Sequence, residues 1–155
     1  MFDRRAFDAM PDETIVQWIR VGHYPGLHYA VYPQGAFRVP DSEEHIRVTR
    51  SPKQSDDCGI RFWVRAESAE DRNDRASILA RYLRGAEFEA ISEVEFNHLV
   101  TETSSELLVP LSSPLHQPVG FIGALRMFSL KTDFTVSLLA EYEDEFVHFF
   151  WQTTA

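Results

Sequence analysis

The stretch "AEYEDEFVHFFW", residues 140 to 151, places Glu141, Glu143, Asp144 and Glu145 within five positions, then sets large apolar residues around His148. Carboxylates in such a run have three uses. A calcium loop needs oxygen ligands at alternating positions and a glycine for its sharp turn; this run has no glycine and is too short. A general acid–base pair is defined by separation in space and a raised pKa, neither of which follows from order along the chain. The third use is electrostatic: carboxylates at a loop tip steer a basic partner onto neighbouring aromatic anchors. On that reading Glu141, Glu143, Asp144 and Glu145 steer, Tyr142, Phe146 and Phe150 anchor, and His148 lies among the anchors.

Other reactive types offer less. Cys58, the single cysteine, follows Asp56 and Asp57, the opposite of the electropositive setting that a reactive thiolate needs. There is no G-x-S-x-G elbow, P-loop or dinucleotide fingerprint, and the G-x-x-G of "GFIG" sits in apolar strand context. "GHYPGLHY" brings His23 and His28 close, but no cysteine or carboxylate completes a ligand set. No catalytic residue, metal or cofactor is therefore expected. Read as a strand, residues 60 to 65 put Arg61, Trp63 and Arg65 on one face, joined by Arg47, a pattern that suits phosphate or single-stranded nucleic acid. Nearby acids neutralise this half of the chain, so pairing with carboxylates is the stronger expectation and nucleic acid is disfavoured.

The elements that position these residues follow from periodicity. "PDETIVQWIRVG" predicts a helix capped by Asp12 and stopped at Gly22, with Ile15, Val16, Trp18 and Ile19 inward. "SAEDRNDRASILARYLRG" predicts another, with Ser68 and Asp71 near capping-box spacing and Ile78, Leu79, Tyr82 and Leu83 buried. A third starts at Ser92 with Glu95 three residues on, and Phe96, Leu99 and Val100 inward. Elsewhere the period drops to two: "LHYAVYPQGAFRVP" reads as a hairpin turning at Pro33 to Gly35, "HIRVTR" pairs with "CGIRFWVRA", and "ELLVPL", "GFIGALRMFSL", "DFTVSLLAE" and "EFVHFFWQT" complete the strands, with "LKTDF" as a turn. Strands arranged in hairpins, without regular alternation with helices, predict α+β: one domain over residues 1–155, a largely antiparallel sheet, about three helices and a C-terminal hairpin.

The hairpin fixes its own register. With a four-residue loop from Tyr142 to Glu145, Glu141 opposes Phe146, Leu139 opposes His148, Ser137 opposes Phe150 and Val136 opposes Trp151. One face then gathers Phe134, Val136, Leu138, Ala140, Val147, Phe149 and Trp151; the other carries Thr135, Ser137, Leu139, Glu141, Phe146, His148 and Phe150. That second face is either roofed by a helix of the same chain or left for a partner.

Composition narrows the class. The 155 residues are 44% hydrophobic and carry a net charge of −9. Residues 1 to 85 hold 13 acidic and 13 basic side chains, whereas residues 86 to 155 hold 11 acidic ones against Arg126 and Lys131 alone. Such asymmetry favours a basic protein partner over nucleic acid or an anionic membrane. No apolar run is long enough for a signal or a bilayer span, and one cysteine fits a reducing compartment, so a cytoplasmic protein is expected.

In size, charge asymmetry and lack of catalytic motifs the chain resembles small acidic immunity proteins, which neutralise a bacterial toxin by binding it. The resemblance implies a non-enzymatic inhibitor covering a basic toxin surface or active site. A secretion chaperone for one effector is the alternative, predicting a dimer with an apolar groove; a small enzyme or ligand-binding domain would gather His23, His28 and nearby tyrosines around a pocket. Oligomeric state is open.

Overall fold

Strand alternation sorts the apolar residues of this chain onto two faces of a single antiparallel sheet, and helices cover both. The computed structural model describes residues 2–70, 75–111, 120–128 and 134–154. Strands β1 (His28–Tyr32), β2 (Glu44–Pro52), β3 (Glu87–Ile91), β4 (Phe121–Phe128), β5 (Thr135–Tyr142) and β6 (Glu145–Thr153) form a sheet in the order β1-β2-β6-β5-β4-β3. The helices are α1 (Arg4–Ala9), α2 (Asp12–Val21), α3 (Ile60–Glu67), α4 (Ala76–Arg84) and α5 (Glu93–Thr103). The architecture is α+β as expected, with five α-helices among the described residues in place of about three.

The first face lies beneath α1 to α4: Phe7, Ile15, Ile19, Phe62, Trp63 and Leu83 pack with Met127, Leu139 and Phe146 of the strands. The second face lies beneath α5, where Phe96, Val100, Phe37 and Leu107 meet Ile46, Val48, Val136, Leu138, Val147 and Phe149. Every pair expected of the C-terminal hairpin is present: Glu141 opposes Phe146, Leu139 opposes His148, Ser137 opposes Phe150 and Val136 opposes Trp151. A one-residue slip would exchange the two apolar sets, so burial on both faces pins the register.

Helix α5 begins as expected, with the Ser92 hydroxyl accepting from Glu95 N–H and the Glu95 carboxylate accepting from Ser92 N–H. Helix α2 ends at Gly22 in the left-handed region, and Pro11 rather than Asp12 is its N-cap; Asp12 pairs instead with Arg84.

Residues 60 to 65 are helical, not a strand. Asp57 decides this locally: its carboxylate accepts from the backbone N–H of Gly59, Arg61 and Phe62, tying down donors that a helix start leaves without partners. Gly59 enters α3 at φ +117°, and a Cβ there would lie 3.3 Å from the Phe146 ring, so glycine is what lets α3 settle on β6. Arg61 and Arg65 still share a face, four residues apart on a helix, but Arg61 pairs with Asp56 while Arg65 donates to the carbonyls of Trp18 and Ile19. The arginine face expected with Arg47 and Trp63 does not form; Trp63 is buried in the first core.

Other differences have equally local causes. Tyr32 leads into a 3-10 turn at Gln34–Ala36 instead of a hairpin; β1 pairs with β2, and Phe37 bridges to Leu107, the one residue of "ELLVPL" in a ladder. Ser68 closes α3, its hydroxyl donating to the Val64 carbonyl, instead of opening the next helix. Asp71 and residues 130–133 of the expected "LKTDF" turn lie outside the described residues. Strand β3, not expected from the sequence, supplies one edge of the sheet. Among the described residues no helix is long and apolar enough to cross a membrane.

Candidate functional site

Each residue of the C-terminal stretch is placed by the hairpin register. Phe146 is 1% exposed and stacks on Phe62 at 5.3 Å; Tyr142 is 1% exposed and meets the edge of Phe121; His148 is fully buried. The roof over Phe146 and His148 is therefore the chain's own α3, and burial removes Phe146, Tyr142 and His148 as anchors for a partner docking on the folded surface. Glu141 is buried and receives Lys53 Nζ at 2.6 Å, and Glu145 holds the Arg50 guanidinium through both oxygens. Strand β5 runs through Tyr142 and β6 starts at Glu145, so the turn is Glu143 and Asp144 instead of four residues, and both are exposed. Burial pushes the Tyr142 hydroxyl upward, with the charges of Glu93 and Glu145 adding to it, so α5's first turn and the hairpin tip share one acidic end of the sheet. Phe150 is half-buried and belongs to another feature of the first face.

That feature is a cavity of about 360 Å³ between α3, α4 and strands β2, β4, β5 and β6, within the size range of small-molecule pockets. Its wall is apolar, with Trp63, Ile78, Leu79, Tyr82, Leu83, Met127, Phe128 and Phe150, while Arg47, Glu67, Glu70, Thr135 and Ser137 add polar groups. Ile78 and Tyr82 are 57% and 42% exposed although periodicity predicts them buried. They sit on the side of α4 that flanks this cavity, so the apolar stripe of the helix is wider than the core it covers.

Four elements build the polar floor. Glu67, in the last turn of α3, accepts at Oε1 from Ser137 Oγ of β5 at 2.6 Å, from Trp63 Nε1 at 3.2 Å, and faces His148 Nε2 of β6 at 3.1 Å. Arg47 of β2 is 3% exposed; its Nη1 donates to Glu70 at 3.0 Å, and its guanidinium carbon lies 4.8 Å over the Phe150 ring. Glu70 also meets His45 Nε2 at 2.9 Å. Nε and Nη2 of Arg47 and Nδ1 of His148 are buried without hydrogen-bond partners among the described residues.

Burial pushes the Glu67 carboxyl upward, but the ring of His148, Arg47 and the Ser137 hydroxyl outweigh it and hold the group at about 2. His148 moves down: its complete burial, with Arg47 adding to it, outweighs the pull of Glu67. We read the pair at neutral pH as ionised Glu67 beside neutral His148, whose Nε2–H donates to the carboxylate.

Serine, histidine and glutamate in contact invite comparison with a nucleophilic relay. Such a relay needs the acid on the far ring nitrogen, so that the near one can take the serine proton. Here Glu67 and Ser137 converge on the same Nε2, 3.1 and 3.0 Å away, and the serine hydroxyl is already engaged by the carboxylate. The cluster can anchor and polarise a floor; it is not arranged to activate Ser137.

His23 and His28 are exposed, away from this cavity. Among the described residues no group of three His, Cys, Asp or Glu side chains is placed to hold a metal ion. Sequence reasoning missed the cavity because Trp63 fell in a stretch read as a strand, while Glu67, just after it, was assigned to no element. A signal for Ser137 and His148 was present, since the hairpin register puts them on one face as diagonal neighbours. Arg47 also left one, as a charged residue alternating with Ile46 and Val48 in a strand covered on both faces. Comparison of the chain with family models, curated proteins and solved structures returned no match.

Proposed function

We propose that this chain is a non-enzymatic binding domain and that the cavity between α3, α4 and the first face of the sheet is its binding site. One observation carries the reading: an apolar-walled cavity of about 360 Å³ holds a nearly completely buried arginine, while Ile78 and Tyr82 stay exposed beside it. A core closed for stability alone would cover those two side chains and also partner Nε and Nη2 of the guanidinium, which find none among the described residues. Titration with the neutral dye Nile red tests it. A saturable single-site rise in emission is expected, weakened in Ile78→Asp, whose exposed position leaves folding intact; no rise, or equal rises in both proteins, would overturn the reading.

Charge supports a second reading, a protein partner of basic character. In the second half Glu87, Glu89, Glu95, Glu102, Glu106, Glu143 and Asp144 are exposed, while Arg126 is partly buried. An immunity-type protein that covers a basic toxin in the cytoplasm fits this charge, as does an effector chaperone, which would be a stable dimer. Co-expression with the product of the adjacent gene separates these readings: rescue from its toxicity through a complex that associates more slowly at high salt supports immunity, and a non-toxic neighbour that forms no complex counts against it.

A further inference from the structure

An arginine has two edges that match a carboxylate, and the one formed by Nε–H and Nη2–H gives two parallel hydrogen bonds. Arg47 spends Nη1 on Glu70 and leaves this Nε/Nη2 edge without a partner among the described residues, on a side chain 4% exposed that lines the cavity. Buried unpartnered donors are costly, and their cost is relieved by an anion. The carboxylates nearby are in a different state. Glu67 Oε1 already accepts from Trp63 and Ser137 and faces His148, and Glu70 Oε2 already faces Arg47 and His45. Of the residues that line the cavity, Arg47 is the one whose buried side-chain atoms find no partner among the described residues, and both atoms are donors; Arg75, exposed at the rim, adds a second positive charge.

We propose that the cavity takes an amphipathic monocarboxylate, its carboxylate on the Nε/Nη2 edge of Arg47 and its apolar body against Trp63, Leu79, Tyr82 and Met127. The proposal rests on the cavity being a binding site and adds the chemistry of what it binds. Docking needs a modest turn of the guanidinium toward the cavity, because that edge is closed to solvent. A monoanion suits the site better than a phosphate dianion, since Glu67 and Glu70 flank the arginine and would repel the second charge.

Calorimetric titration of the whole protein with decanoate, decanol, decyl phosphate and decylamine tests this. Decanoate is expected to bind one to one and about tenfold or more tighter than decanol, with decyl phosphate no tighter than decanoate and decylamine weakest. Arg47→Met should bring decanoate and decanol to similar affinities while decanol binding persists. If that variant does not fold, Glu70→Gln serves instead: it weakens the hold on Nη1 of Arg47 and removes a repelling charge, so the preference for decanoate over decanol should widen. Equal affinity for decanoate and decanol in the native protein, tighter binding of decylamine, or a preference unchanged in the variant that folds would overturn the carboxylate assignment while leaving the pocket. Failure of every ten-carbon probe to bind would overturn the pocket with it.

Discussion

Asp57 shows how much one side chain can decide. Its carboxylate accepts from three backbone donors at the start of α3 and from the Tyr24 hydroxyl at 2.9 Å, and burial together with that carboxylate pushes the Tyr24 hydroxyl well above its usual value. Asp57→Ala removes a cap and a buried partner at once and should destabilise the protein by about 2–3 kcal/mol in urea unfolding. A loss below about 0.5 kcal/mol would show that the cap is not what holds α3. Glu67 and His148 make a second residue-scale prediction. Below His148's ordinary value of 6.5 the unfolded chain takes up a proton that the folded chain refuses, so stability falls with pH through the region between that value and the depressed folded one. Glu67 adds a lower limb: its contribution is complete above about 4.5 and is lost as pH falls toward about 2. The urea midpoint should therefore drop from pH 7 to pH 5, and His148→Gln, which keeps a donor for Glu67, should flatten that drop. An equal drop in both proteins would contradict neutral burial of His148.

Elements differ in how openly the sequence declares them. The C-terminal hairpin was legible to the residue, because two apolar sets alternate along β5 and β6 and only one register keeps them apart. The start of α5 was legible because Ser92 and Glu95 satisfy each other's backbone without help from the rest of the fold. Helix α3 was not. "IRFWVRA" alternates like a strand, and what makes it a helix is Asp57 before it and burial of Ile60, Phe62, Trp63 and Val64 together, which a period-two reading cannot anticipate. The cavity was lost with it, since Trp63 and Glu67 come from this helix. Strand β3, with three of its residues exposed and two of them glutamates, carries little apolar alternation; its glutamates charge the sheet edge, which discourages pairing with another chain. The seat of α3 on β6 gives a test at this scale. Gly59→Ala forces a side chain into φ +117° with its Cβ 3.3 Å from the Phe146 ring, and should cost about 1–3 kcal/mol in unfolding free energy. A change within about 0.5 kcal/mol would mean that α3 can shift off the strand without penalty.

For the molecule as a whole, two features remain once the fold is accounted for: an acidic second half and a cavity between two helices and four strands. The first bears on which partners approach, and of the carboxylates in the C-terminal acidic stretch Glu143 and Asp144 are the exposed ones. The second is where side chains are arranged beyond what packing requires, with a buried guanidinium over Phe150 and an apolar wall left half open. Methionine provides a direct view of it, because Met127 lines the cavity while Met10 packs against the core beneath the first two helices and does not. Titration of methyl-¹³C-methionine protein with 1-naphthol, with signals assigned through Met127→Leu and Met10→Leu, therefore reads occupancy of this one site. A saturable shift of the Met127 methyl signal with Met10 unmoved is the predicted result; a Met127 signal that stays in place at saturating probe would contradict the cavity as the binding site.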